Sequence, residues 1–275
     1  MAKIVYGVSG EGSGHSSRAR EVAGHLLARG HDVRIASYDR GARNVRDDFD
    51  VFEIEGLSIS TRENRVSILA TIGENASKLS TLRRSFGALR AELFESFHPD
   101  VVLTDFEPMT ARLAHRRGVP LVSVDNQHRM RYMRYPHPPG LGTERRLTEA
   151  VIRAMIPRPT LSFVTTFWFG EPRNDRTFLF PPILRRIVRD ATPTEGEHVL
   201  VYATKAFEGL LDVLRGRRDT KFKVYGFGRE GEEGHLSFQP FSFEGFLEDL
   251  ASARAVVGTA GFTLITEALH LGKPY

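Results

Sequence analysis

Short apolar runs alternate with stretches of helical spacing along the first two-thirds of the chain. Lys3–Val8 (KIVYGV) predicts a buried strand. Residues 16–29 predict a helix, with Ala19, Val22, Ala23, Leu26 and Leu27 at three- and four-residue intervals and Gly30 ending it. Asp32–Ser37 and residues 51–54 predict two more strands, and residues 63–97 a long helical region. Strands follow at residues 101–104, 121–124, 161–165 and 177–180, with a helix over 108–117 closed by Gly118. Strands alternating with helices predict a parallel sheet covered on both faces. We take residues 1–182 as this first domain.

Pro181-Pro182 and the polar stretch containing Pro193 and Gly196 predict a linker over residues 183–197. A second alternation covers residues 198–275. Strands are expected at 198–202, 222–225, 236–238 and 255–257, and helices at 207–215, 244–251 and 263–271. The chain ends at Gly272-Lys273-Pro274-Tyr275, where another strand is due. A sheet stopped there leaves an unpaired edge, so the second domain is expected to be truncated. The fold class expected is α/β, with two Rossmann-like domains.

Composition narrows the picture. The chain has 275 residues, 41% hydrophobic and 26% charged, which fits two globular domains. With no cysteine, disulfides and thiolate metal sites are excluded. No apolar run approaches the roughly 20 residues of a membrane span. The N-terminal apolar stretch runs straight into a glycine loop and reads as a strand, not a signal peptide. A cytoplasmic location is expected. The net charge of +4 is spread along the chain, compatible with anionic ligands or an anionic membrane surface. Nucleic acid is not expected as a partner, because only one short segment combines basic and aromatic residues.

Ser9-Gly10-Glu11-Gly12-Ser13-Gly14-His15 follows the first strand and opens the first helix. Glycines there permit close approach of a ligand to backbone N–H groups. The same pattern also suits a strand-to-helix turn with a capping Ser. The spacing departs from the dinucleotide fingerprint G-x-G-x-x-G, although Asp39 lies near the acidic position that fingerprint wants. His15 falls at the carboxyl edge of the sheet, where open α/β folds bind ligands, and suits a general base. Asp105, ending its strand, is the candidate to orient the imidazole and stabilise its protonated form. Otherwise His15 is a surface or capping residue and Asp105 a turn residue.

In the second domain, Val257-Gly258-Thr259-Ala260-Gly261-Phe262-Thr263 ends a strand and launches a helix. Amides of Gly261, Phe262 and Thr263 are placed to meet a diphosphate. Glu267, in the first turns of that helix, can accept from two vicinal ribose hydroxyls. Asp105-Phe106-Glu107-Pro108 and Asp125-Asn126-Gln127-His128 each follow a strand. Glu107, Asp125, Asn126 and His128 are therefore candidates to bind an acceptor, or else satisfy their own turns. Their spacing follows sheet topology rather than a metal-ligand motif, so no metal is expected. Arg129, Arg131, Tyr132, Arg134 and Tyr135, followed by His137, form the basic aromatic segment, suited to acceptor phosphate, a membrane surface or solvent. Phe167, Trp168 and Phe169 are expected to pack the interdomain side of the sheet or border a cleft.

The loop ending in His15, together with FLEDLASARAVVGTAGFTLITEALHLGKP, resembles GT-B glycosyltransferases, of the general type that includes the N-acetylglucosaminyltransferase making lipid II. SGEGSGHSSRAREV, TDFEP and VSVDNQH resemble a related bacterial and archaeal branch. The resemblance covers residues 1–275. It implies two domains facing across a cleft, acceptor on the first and donor on the second. Gly261, Phe262 and Thr263 would face donor phosphates, Glu267 the ribose, and Ala203 and Thr204 would border the donor. Gly12, Gly14 and His15 would sit at the reaction centre. The resemblance implies an inverting reaction without metal or other cofactor, from a uridine or thymidine diphosphate sugar to a glycan, lipid-linked or small-molecule acceptor. It also places the protein in the cytoplasm or at the inner face of the membrane. A loop that touches the donor sugar and a terminal helix, both typical of the family, are absent from the sequence. A nucleotide-sugar 2-epimerase and a non-catalytic nucleotide-sugar or glycan-binding protein are the alternative readings.

Overall fold

The structure, a computed structural model, describes residues 1–57, 61–62, 65–66, 73, 75–136, 138–203, 207–240 and 242–275. The chain forms two compact units, Met1–Ile183 and Leu184–Tyr275.

The first unit is built on seven parallel strands: β1 (Lys3–Val8), β2 (Asp32–Ser37), β3 (Val51–Glu53), β4 (Val101–Asp105), β5 (Leu121–Asp125), β6 (Leu161–Thr165) and β7 (Thr177–Phe180). Their order in the sheet is β7-β6-β5-β4-β1-β2-β3. The order reverses between β1 and β4, where Val8 pairs with Asp105. Alternate residues of β1 serve opposite faces, as the two-residue period requires. Ile4, Tyr6 and Val8 pack with Ala19 and Ala23 of helix α1 (Ser13–Ala28). Val5 packs on the other face with Leu89, Leu93 and Leu113.

Helix α2 (Asp39–Val45) follows β2. The region expected as one helix over 63–97 is different where it is described. Residues Thr61–Arg62 and Arg65–Val66 pair as a short hairpin. Helix α3 is Leu79–Leu89, and the chain continues through Arg90–Ser96 as a π-helix. The wider turn keeps Leu89, Leu93, Phe94 and Phe97 all buried against the sheet. Helix α4 (Pro108–Arg117) starts with Pro at its first position and ends at Gly118, whose φ of 67° suits glycine. Helix α5 is Gly142–Met155.

The second unit has strands β8 (His198–Tyr202), β9 (Lys221–Tyr225), β10 (Gly231–Glu233), β11 (Leu236–Phe238) and β12 (Ala255–Gly258) in the order β10-β11-β9-β8-β12. All pairs are parallel except β10 with β11. Helices α6 (Glu208–Arg215), α7 (Phe243–Ser252) and α8 (Phe262–His270) complete it. The segment expected as a linker belongs to this unit's core. Val188 is fully buried, with Leu184 and Ala191 against the same cluster. The Thr194 and Gly196 amides donate to the Ala251 and Ser252 carbonyls, at 2.9 and 2.8 Å. Buried Lys273 donates to the Thr194 carbonyl at 2.6 Å.

Candidate active site

The first unit gathers its polar side chains where the strand order reverses, at the carboxyl ends of β1 and β4. Such a switch point is where open α/β sheets bind ligands. His15 and Arg18 lie one turn apart on α1 and face the same way. Asp105, at the end of β4, is fully buried and meets both. His15 Nδ1 is 2.7 Å from Asp105 Oδ1. Arg18 donates from Nε to Oδ2 at 2.7 Å and from Nη2 to Oδ1 at 2.6 Å, a bidentate pair. Burial opposes the charge on Asp105, but Arg18 and His15 outweigh it and hold the carboxyl below its ordinary pKa. An ionised carboxylate only accepts, so His15 carries its proton on Nδ1 and presents Nε2. The His15 side chain is 14% exposed, enough to meet a ligand.

The glycine loop is shaped by what lies against it. Gly10 and Gly56 abut the ring of Tyr38, with no room for a side-chain carbon. Burial pushes the Tyr38 hydroxyl up to about 12 in pKa, and that hydroxyl meets Ser9 Oγ at 3.3 Å. Gly12 has φ of 75° and immediately precedes α1, and no side chain caps the helix there. The capping Ser considered from the sequence is therefore not found. Gly14 lies in the first turn of α1.

Four expectations are corrected by the geometry. Glu107 is 1% exposed and caps α4. Its oxygens accept from the amides of Met109 and Thr110 and from Thr110 Oγ1, so it is occupied by its own helix and not by an acceptor. Phe106 holds φ of 59°, a strained value that turns Asp105 toward His15 and Glu107 toward α4. Asp125 accepts from the His128 amide at 2.8 Å and pairs with His128 Nδ1 at 2.7 Å, and both residues are fully buried. They secure the turn after β5, with the His128 ring stacked on Tyr132, rather than greeting a ligand. Ala203 is 2% exposed and its side chain belongs to the core, while Thr204 lies outside the described residues.

Asn126 is partly exposed and remains available. The residue of this turn that reaches the site is its neighbour Gln127, whose Nε2 lies 3.5 Å from His15 Nε2. Sequence reasoning missed Gln127 and Arg18. The signal for Arg18 was present in its spacing of three from His15 along a helix. Phe167, Trp168 and Phe169 are exposed, at 43, 50 and 58%. Part of the basic aromatic segment, His137, lies outside the described residues.

The second unit repeats the arrangement in outline. Its order reverses between β8 and β12, where Tyr202 pairs with Gly258. There β12 turns through Thr259-Ala260-Gly261 into α8, and no side chain caps that helix. Phe262 and Thr263 are its first residues. A side-chain carbon at Gly258 would lie 2.8 Å from the Tyr275 hydroxyl and 3.1 Å from the Tyr202 carbonyl. Glu267 is 3% exposed, and Arg185 binds both its oxygens, Nε to Oε1 at 2.6 Å and Nη2 to Oε2 at 2.9 Å. Each oxygen keeps one further lone pair. Among the described residues no cluster of three or more His, Asp or Glu side chains is placed to hold a metal ion. None of the helices described is long and apolar enough to cross a membrane.

Two Rossmann-like units, each with a glycine turn at its switch point, give the chain the fold of solved glycosyltransferases, a GT-B architecture. Residues 2–275 match the family described as glycosyl transferase family 1, and the chain belongs to that family. An uncharacterized glycosyltransferase of Methanosarcina acetivorans is 25% identical over 298 residues, covering 99% of this chain and 76% of the relative. One from Methanosarcina mazei is 28% identical over 134 residues, covering 46% of this chain and 34% of its own. In fold, the chain is similar to the glycotransferase of kitacinnamycin, with TM-score 0.64 and 18% identity, covering 99% of this chain and 79% of that one. It is also similar to SsfS6 of Streptomyces sp. SF2575 complexed with thymidine diphosphate, at TM-score 0.59 and 18% identity, covering 100% and 81%. UGT89C1 of Arabidopsis thaliana complexed with UDP gives 0.64 and 12%, covering 99% and 78%.

Proposed function

We propose that this glycosyltransferase moves a sugar from a uridine or thymidine diphosphate donor to an acceptor hydroxyl with inversion at the anomeric carbon. His15 Nε2 takes the acceptor proton as its oxygen attacks C1 and the C1–O bond to the diphosphate breaks. Asp105 keeps the imidazole in its Nδ1–H form and compensates the charge that develops on it. Arg18 fixes Asp105. The observation that carries this reading is the ionised, buried Asp105 against a partly exposed His15 at the switch point of the first sheet.

The nucleoside diphosphate is assigned to the second unit, its phosphates at the start of α8 beside Gly261, Phe262 and Thr263, where helix dipole and amides favour an anion. Glu267 meets the ribose with the lone pairs that Arg185 leaves. The nucleotides named with the Streptomyces and Arabidopsis structures support uridine and thymidine diphosphates. Gly12 and Gly14 line the reaction centre, and Asn126 and Gln127 meet the acceptor, a glycan, lipid-linked or small-molecule hydroxyl of the kind the lipid II-forming enzyme also uses. We place the reaction in the cytoplasm, with peripheral membrane contact through Arg129 and Arg134 if the acceptor is lipid-linked.

The test is turnover and binding of His15→Ala and Glu267→Gln beside the parent chain. His15→Ala is expected to keep nucleoside diphosphate affinity and lose about 100- to 10,000-fold in kcat, the range of general-base catalysis. Glu267→Gln is expected to weaken nucleoside diphosphate binding in calorimetry. Full turnover by His15→Ala overturns the assignment of the base.

A further inference from the structure

Four arginines converge on a cavity of about 330 Å³ in the first unit. Arg158 and Arg176 come just before β6 and β7, at their amino ends. Arg153 is in the last turn of α5, and Arg131 follows β5 in the one-turn helix Arg129–Tyr132. No carboxylate among the described residues lines this space. A basic face that merely meets solvent would spread its charges apart, whereas these are gathered round a hollow.

Their internal compensation is thin. Arg153 reaches Glu149 only at 4.0 Å, and Glu149 already serves Arg145 and Arg173 at 3.2 and 3.4 Å. Among the described residues Arg158 and Arg176 have no ion pair. Arg131 donates to the Ile156 carbonyl at 3.1 Å and lies over the Tyr132 ring, 4.8 Å from its centre. Tyr132 lines the same cavity, and its hydroxyl is buried without a hydrogen-bond partner among the described residues. A buried hydroxyl left so is costly unless something in the cavity meets it. Burial lowers the Arg131 pKa, and against the opposing pull of Tyr132 the charges of Arg153 and Arg158 lower it further, so the guanidiniums are close enough to repel.

We propose that this cavity binds a phosphate-bearing anion, with paired guanidinium N–H groups on the phosphate oxygens and the Tyr132 hydroxyl donating one more bond. Guanidinium forks match phosphate geometry in pairs, and the volume falls in the range of small-ligand sites. The anion relieves the repulsion among the arginines and satisfies the phenol together. The site does not rest on the transfer reaction.

The experiment is calorimetric titration of the whole chain with inorganic diphosphate at low salt, beside Arg158→Gln/Arg176→Gln and Tyr132→Phe. Both arginines are exposed, so folding is expected to survive their loss, and relief of repulsion should raise the ligand-free melting midpoint. The double variant is expected to bind about a hundred-fold or more weakly, since two charge-assisted contacts are lost. Tyr132→Phe keeps the ring over His128 and should weaken binding a few-fold. Cosedimentation with phosphatidic-acid vesicles that the double variant loses assigns the anion to a lipid headgroup. Binding of glucose 1-phosphate without vesicle binding assigns it to a soluble phosphate ester. Equal diphosphate affinity in the parent and the double variant, or no binding by the parent, overturns the proposal.

Discussion

Arg18→Met strips Asp105 of its strongest counter-charge. The Arg18 side chain is 6% exposed and Asp105 is fully buried. Methionine fills much of the lost stem, so the change acts on charge more than on packing. Removing one partner of a buried ion pair costs about 3–5 kcal/mol, because the remaining charge stays desolvated. His15 remains 2.7 Å from the carboxylate. The cost should be near ~4 kcal/mol at pH 8. The chain has one tryptophan, Trp168, and it lies in the first unit. Urea unfolding followed by its fluorescence therefore reads that unit alone. Adding Asp105→Asn should recover part of the loss, since the two residues share their bonds. A cost under ~1 kcal/mol at pH 8 refutes the claim that Asp105 is a buried anion held by Arg18.

Gly7→Ala places a carbon 2.0 Å from Thr110 Oγ1 and 3.0 Å from Glu107 Oε2. Overpacking against that cap should cost about 1–3 kcal/mol in the same urea assay. The depressed pKa of Asp105 gives stability that is complete above its unfolded value, about 3.9, and is lost as pH falls through the lower folded value. Acid unfolding curves of the parent chain should show that loss, and Asp105→Asn should lack it. Arg185→Ala leaves Glu267 desolvated without a partner at 3% exposure. It should destabilise the second unit by about 3 kcal/mol, read by proteolysis or hydrogen exchange of α8, and Arg185→Lys should restore only part.

The strands of both units were legible because a strand buried on both faces reads as an unbroken apolar run. Lys3–Val8, Asp32–Ser37 and His198–Tyr202 lie where the pattern puts them. Helices with a thin buried stripe were not. In α5 only Ile152 is fully buried, so residues 142–155 show little periodicity above their charges. The segment 183–197 looked like a linker because its polar residues hide Val188, its fully buried position, and the Leu184 and Ala191 contacts beside it. Topology brought His15 and Asp105 to one edge, and that much follows from two strand ends. What each carboxylate does there is decided by neighbours far off in sequence or by a local turn. Asp105 meets a cation from α1, 87 positions away. Glu107, two residues later, points the other way into its own helix.

Those two carboxylates show how burial alone does not set a role. Both are buried to the same degree, yet burial raises the pKa of Glu107 despite its amide donors, while Arg18 and His15 reverse the effect at Asp105. A carboxyl held below its ordinary pKa is a poor proton acceptor. The proton between His15 and Asp105 therefore stays on Nδ1, and Nε2 is the one nitrogen left to exchange a proton with a ligand. Arg18 thus does more than balance a charge. By occupying Oδ2 and sharing Oδ1 it fixes the carboxylate plane and, through it, the direction in which the imidazole points.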